Sequence, residues 1–164
     1  MRQRRDLLTA AAVVGVGVLL GGCSRPAAAP ALTYARYGYS CCQPGPPEVA
    51  HPGQVITLHW ITTAQPPTPA ATATAVTLSA WLTGPFPTVA ALKTAMTAPS
   101  PPAPAVTAAA VHTTDRVGSS PTSTLLLPAQ APAGFYDLRT SVISGGGALS
   151  GDTIVQVTAA STGG

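Results

Sequence analysis

The chain has 164 residues, 46% of them hydrophobic and only 8% charged, with 18 prolines, 16 glycines and no asparagine. Its formal net charge of +3 is concentrated in Arg2, Arg4 and Arg5, so the rest of the chain lacks the basic stripe that nucleic-acid binding requires. The missing asparagine excludes N-linked glycosylation and Asn-Gly hairpins together.

The chain opens with those three arginines and continues into an uncharged apolar run, Leu7 to Leu20, that ends at Leu20-Gly21-Gly22-Cys23. A charged start followed by such a run is the pattern of an export signal. A membrane-crossing helix needs about 20 apolar residues, and this run is shorter, so cleavage is expected rather than retention. The Leu-Gly-Gly-Cys segment resembles bacterial lipoprotein signals, in which a peptidase cuts before a cysteine that already carries diacylglycerol. The resemblance implies that residues 1–22 are a cleaved signal helix and that Cys23 is the lipidated first residue of the mature chain. It also implies anchoring on the extracytoplasmic face of the cell membrane, since each buried acyl CH₂ contributes about 0.8 kcal/mol. An ordinary secretory cut at Ala27-Ala28-Ala29 is the alternative. Arg4-Arg5-Asp6-Leu7-Leu8 also resembles a twin-arginine export motif, which would let the domain fold before it crosses; general secretion stays open beside it. The abundance of Ala, Pro, Thr and Gly is similar to that of actinobacterial proteins, mycobacterial ones among them.

After cleavage, Arg25, Arg36, Lys93, Arg116 and Arg139 face Glu48, Asp115, Asp137 and Asp152, a net charge of +1. Residues 23–33 are small and proline-containing and are expected to be a disordered tether. Residues 34–47 form a Tyr/Cys-rich segment holding Tyr34, Tyr37, Tyr39, Cys41 and Cys42. Clustered tyrosines offer large contact area at low entropic cost, which makes these three a candidate binding surface; the alternative is that their rings fold back as a cover for a sheet edge.

From residue 48 the pattern is that of strands. Glu48 to Gln54 reads as a short strand turning at Pro52-Gly53. Val55 to Thr62 then alternates, with Ile56, Leu58 and Trp60 on one face. Gln65 to Thr74 is expected to be an exposed loop. Val76, Leu78, Ala80 and Leu82 resume the alternation. Thr88 to Met96 is the single helix expected, capped by Thr88. Thr97 to Ala105 is a second exposed loop, and both loops are rich enough in Thr and Pro to bear O-linked sugars. Val106 to Thr114 is a weaker strand, and Leu125 and Leu127 belong to another. Tyr136, Leu138, Thr140 and Val142 then lead through Gly145-Gly146-Gly147 to Thr153, Val155 and Val157. Residues 160–164 are expected to be a disordered tail.

Strands at this spacing predict an all-β fold, an antiparallel β-sandwich of about seven strands over residues 48–159. Pro52 to Trp60, with Leu127-Pro128-Ala129 and Ala133 to Leu138, resembles strands of bacterial immunoglobulin-like or fibronectin-type domains. That resemblance implies a tyrosine corner in the Gly-Phe-Tyr-Asp-Leu strand. It selects no function, because the scaffold hosts adhesion, carbohydrate binding, chaperoning and spacer roles. No cysteine follows Cys42, so the core must hold by packing alone.

With Cys23 acylated, Cys41 and Cys42 are the cysteines left in an oxidising compartment. Adjacent α-carbons lie about 3.8 Å apart across a trans peptide, closer than the 4.4–6.8 Å of ordinary disulfides. A disulfide between these neighbours is expected to rigidify a turn; pairing between chains or redox sensing are alternatives. A further alternative is a soft-metal site for copper or zinc, with His51, His59, His112 or Met96 joining the two thiolates. No Gly-x-Ser-x-Gly elbow occurs, and Asp115, Asp137 and Asp152 read as solvated turn or strand residues. The sequence therefore predicts a non-enzymatic lipoprotein with a binding or structural role and no cofactor. Its expected partners are the membrane and a cell-envelope polymer or protein. The alternative function is soft-metal binding or thiol redox at Cys41 and Cys42.

Overall fold

The computed structural model describes residues 30–159. The signal at 1–22, Cys23, the first part of the tether and the 160–164 tail lie outside the described residues. The described chain forms β1 (Tyr34–Cys41), β2 (Val49–Ala50), β3 (Val55–Thr68), β4 (Ala75–Phe86), α1 (Val89–Met96), β5 (Val106–Thr107), β6 (Val111–Thr114), β7 (Thr122–Leu126), β8 (Gly134–Ser144) and β9 (Gly147–Val157). One sheet has the order β1-β3-β7, the other β2-β9-β8-β4-β5, with β6 also on β4.

The alternation in the sequence explains how the two sheets face each other. Ile56 and Leu58 from β3, with Leu125 and Leu127, pack against Ala80 and Leu82 of β4, Tyr136 and Leu138 of β8, and Val155 and Val157 of β9. Burying side chains of this size contributes roughly 1.5–3 kcal/mol each. A second cluster joins Tyr39 and Trp60 of the small sheet to Val76 and Leu78 of the large one.

The all-β sandwich holds, and two sequence-level details are corrected. There are nine strands because the Tyr/Cys-rich segment adds one, β1, and the expected strand from Val106 to Thr114 is divided into β5 and β6. β1 and β2 are separated by the proline-rich Pro44 to Pro47, so the chain changes sheets between them. β5 and β6 both follow β4, yet Trp81 faces Thr107 while Leu78 faces Val111, so one extra residue bulges out near Ala108–Ala110. The sandwich is also not wholly antiparallel, because β2 runs parallel to β9 where the chain crosses to the second sheet.

Two boundaries move as well. The Tyr/Cys-rich segment is a strand of the sandwich, paired with β3 from Tyr34 opposite Thr68 to Cys41 opposite Trp60, so the folded unit starts at Tyr34 and not at 48. The expected loop at Gln65 to Thr74 begins only after Thr68. Pro66 and Pro67 are tolerated in β3 because its β7 side is paired only between Val55 and His59, and a shifted register accommodates them on the β1 side.

Local signals were realised closely. The N–H of Gln54 donates to the His51 carbonyl at 3.0 Å, with Gly53 at φ 78°, the positive value that position of a Pro-Gly turn needs. Thr88 caps α1, its hydroxyl accepting from the Ala91 N–H at 3.1 Å, and Leu92 is the helix residue buried against the sheet. Tyr136 forms the corner, its hydroxyl donating to the Pro132 carbonyl at 2.9 Å. Gly84 lies under that ring; a Cβ there would stand 2.8 Å from a ring carbon, and its φ of 152° suits glycine alone.

Candidate functional site

A cavity lies at one end of the sandwich, between β1 and the β8–β9 hairpin. Its volume is ≈ 590 Å³, and its walls include Arg36 to Tyr39 on one side and Gly145 to Leu149 on the other. A smaller cavity of ≈ 150 Å³ continues beside Ser40, Cys41 and Gly151 and shares Val142 and Leu149 with the first. Leu149 stands opposite Val142 in the hairpin, yet it is 60% exposed because nothing among the described residues covers it.

A charged node built around Asp115 holds the polar side of the cleft. Its Oδ2 accepts from Arg36 Nε at 3.1 Å and its Oδ1 from the backbone N–H of Thr74 at 2.8 Å. Arg116 Nε stands 3.8 Å from Oδ1. The Thr74 hydrogen bond, aided by the two arginines, holds this carboxyl below the usual aspartate range against the opposing effect of burial. The Asp115 backbone carbonyl also accepts from the Tyr37 N–H at 2.8 Å, so one residue ties β1 to the start of β4. Arg116 extends the clamp. Its guanidinium donates to the Ala35 carbonyl at 2.8 Å and to the Ala70 carbonyl at 2.5 Å, and it stacks 5.1 Å from the Tyr34 ring centroid.

The three candidate contact tyrosines divide. Tyr39 is only 7% exposed, and its hydroxyl donates to the carbonyls of Thr114, at 3.0 Å, and Val117. It is chiefly a core residue, as the edge-cover alternative expects, and part of it still reaches the cleft wall. The strand period puts Tyr37, Tyr39 and Cys41 on one face of β1, while Tyr34 lies beyond the register shift beside Arg36. Tyr37 is half-buried against Gly118, where a Cβ would come within 2.8 Å of its ring, and it lines the cleft. Tyr34 is exposed with one ring face engaged by Arg116.

Cys41 and Cys42 are paired with each other through their sulfurs, across a cis peptide, and both pack on the edge of the core. Of the candidate metal ligands, His59 lies beside them in the chain register, its carbonyl accepting from the Gln43 N–H at 3.1 Å, while the others lie elsewhere. His51 lies in the turn after β2, its Nδ1 3.0 Å from the Thr158 hydroxyl; His112 lies on β6, its Nδ1 3.3 Å from the Thr77 hydroxyl. His59 projects from the exposed face of β3, and Met96 ends α1. Among the described residues, no group of three or more His, Cys, Asp or Glu is placed to share a metal ion.

A second charged cluster corrects the reading of the acids as solvated. Arg139 Nε donates to Asp137 Oδ2 at 3.0 Å and lies 2.9 Å from Asp152 Oδ1, beside a cavity of ≈ 430 Å³ that includes Leu92, Lys93 and Met96. Burial, with the charge of Asp152, pushes the Asp137 carboxyl up, and Arg139 only partly opposes this. Asp115 and Asp137 are both buried, and only Asp152 is solvated. The signal for the second pair lay in the sequence, since Asp137 and Arg139, two apart, share a strand face, whereas Arg36, bonded to Asp115, is 79 positions away.

No protein-family model matches the chain, and no curated protein matches it either. Among solved structures, the chain is similar to Spo0M, a sporulation control protein from Bacillus subtilis, with a TM-score of 0.37 and 12% identity. That similarity covers 79% of this chain and 51% of Spo0M, so the chain spans about half the length of that neighbour.

Proposed function

We propose that this protein is a lipid-anchored component of a bacterial cell envelope, held through acylated Cys23 on the extracytoplasmic face of the membrane, and that its role is binding and not catalysis. The binding surface is the cleft between β1 and the β8–β9 hairpin, and the partner is a protein or polymer of the envelope. The observation that supports this reading is the cleft itself: its ≈ 590 Å³ falls within the range of about 300–1,000 Å³ typical of ligand sites. Tyr37 and Leu149 give it apolar contact area, and Gln65, Thr74 and Ser144 give it polar groups.

Two measurements test the reading. The intact mass of protein isolated from its own membranes should correspond to a chain that begins at Cys23 and carries acyl groups, and Cys23→Ser should release the protein from the membrane fraction. A photo-crosslinking residue placed at Leu149 should capture a partner that the same residue at exposed Lys93 does not. Equal capture at both positions, or an unmodified Cys23 in a membrane-free protein, would sink it.

A second reading, thiol redox or soft-metal binding at Cys41 and Cys42, draws on Cys41 lining the smaller cavity. Alkylation before and after mild reduction decides its redox half, because a redox role requires the pair to open and close without unfolding the domain. Native mass spectrometry of the reduced protein decides the metal half.

A further inference from the structure

We infer that the first half of β9, Gly147 to Thr153, accepts an extended, uncharged strand from a partner protein, seated in the groove between β9 and β1. The inference rests on the cleft being a binding surface and names the class of its occupant. Along one side, β9 pairs with β8 over its whole length. Along the other, β2 reaches only Gln156 and Val157. Among the described residues no strand lies beside Gly147 to Thr153 on that side, and all seven residues are exposed.

The chain's own sequence explains why this edge stays open. The Gln156 N–H donates to the Glu48 carbonyl at 2.8 Å, and to continue upstream β2 would have to use Pro47, Pro46 and Pro44. Those residues have no N–H to donate, so the strand that would complete the sheet cannot come from the segment nearest to it. The edge also lacks the devices that keep strands apart. It contains neither lysine nor proline, and its single charge, Asp152, is engaged by Arg139.

The groove suits a strand in length, chemistry and charge. Its two cavities meet at Val142 and Leu149 and run along β1 from Arg36 to Cys41. Six residues of strand cover roughly 20 Å at about 3.3 Å per residue, so a segment of six or seven residues fills it. A strand added to β9 would gain backbone hydrogen bonds along the edge and lay alternate side chains on Leu149 and Val142, the mode called β-augmentation. Gly145, Gly146, Gly147 and Gly151 leave room for those side chains. Arg36 and Asp115, the charged residues in the groove wall, already neutralise each other, so the complementary occupant is uncharged.

The test uses the protein isolated from its membranes in detergent, with an acetylated and amidated octapeptide of alternating Val and Thr as probe. Hydrogen exchange is followed by mass spectrometry on fragments spanning residues 147–153. Free protein should exchange its outward amides there rapidly, and saturating probe should slow them at least tenfold. The same peptide with Glu in place of Thr should have no effect. Leu149→Asp, at an exposed position, should abolish the slowing without changing the melting temperature. Slow exchange in the free protein would overturn the inference, since the edge would then be covered by a second copy or by another segment of this chain, and its concentration dependence would say which. Absence of protection by the neutral probe, or protection unaltered in Leu149→Asp, would overturn it too. A glycan crosslinked at Leu149 without such protection would reject the strand and leave the cleft reading standing.

Discussion

The indole Nε1 of Trp60 donates to the hydroxyl of Ser123 at 2.9 Å, a buried bond between two strands of the small sheet that lie 63 positions apart. Ser123→Ala would leave the buried indole N–H without a partner, at a cost of about 1–3 kcal/mol. Urea unfolding should report a lower midpoint with an unchanged slope. In the Trp60→Phe background the same substitution should cost less, because no donor is left stranded.

The corner at Tyr136 makes two separate expectations. Tyr136→Phe removes the bond to the Pro132 carbonyl and should lower stability by roughly 1 kcal/mol. Gly84→Ala should do far more damage, because it meets both the Tyr136 ring and a disfavoured φ. Thermal melts of the two variants would disagree with this account if Gly84→Ala were the milder.

The two buried carboxylates should respond to acid in opposite senses. Asp115 titrates below its ordinary value of 3.8 in the folded protein, so the stability it contributes is present above that value and is lost as pH falls further. Asp137 titrates above 3.8 when folded, so its charged form opposes folding, and acidification from its folded value down to 3.8 should relieve that. Unfolding free energies measured across pH should show Asp115→Asn flattening the acid limb below 3.8. Asp137→Asn should flatten the dependence above it.

Arg116 joins β1 to the loop after β3 by hydrogen bonds to the Ala35, Ala70 and Thr72 carbonyls. Arg116→Lys keeps the charge but not the planar fork. Limited proteolysis should therefore cut that variant faster than the parent between residues 69 and 74, while far-ultraviolet circular dichroism stays the same. Equal cleavage rates would show that the loop is held by other contacts.

Much of this architecture was legible from period and punctuation. The Ile56-Leu58-Trp60 and Val76-Leu78-Ala80-Leu82 stripes, the Pro52-Gly53 turn, the Thr88 cap and the Tyr136 corner each depend on residues close in sequence, and each formed as expected. What escaped was set by long-range pairing. Tyr39 reads equally as a contact residue or as an edge cover until β3 is laid beside β1, and the burial of Asp115 depends on the Thr74 amide and the Arg36 side chain. The cleft was hidden for the same reason: it exists because β1 and the hairpin approach each other in space, and neither Leu149 nor Gly151 carries a local mark of it. The bulge at Ala108–Ala110 had only a run of alanines to announce it.

The bond between Cys41 and Cys42 joins neighbours, so it closes no long loop and constrains the unfolded ensemble only locally, at the two cysteines. Among the described residues, the two sheets are held to each other by side-chain packing with no disulfide between them. Opening or closing that bond therefore ties or frees nothing between the two sheets, whose hold on each other lies in Ile56, Leu58, Tyr136 and the other side chains between them.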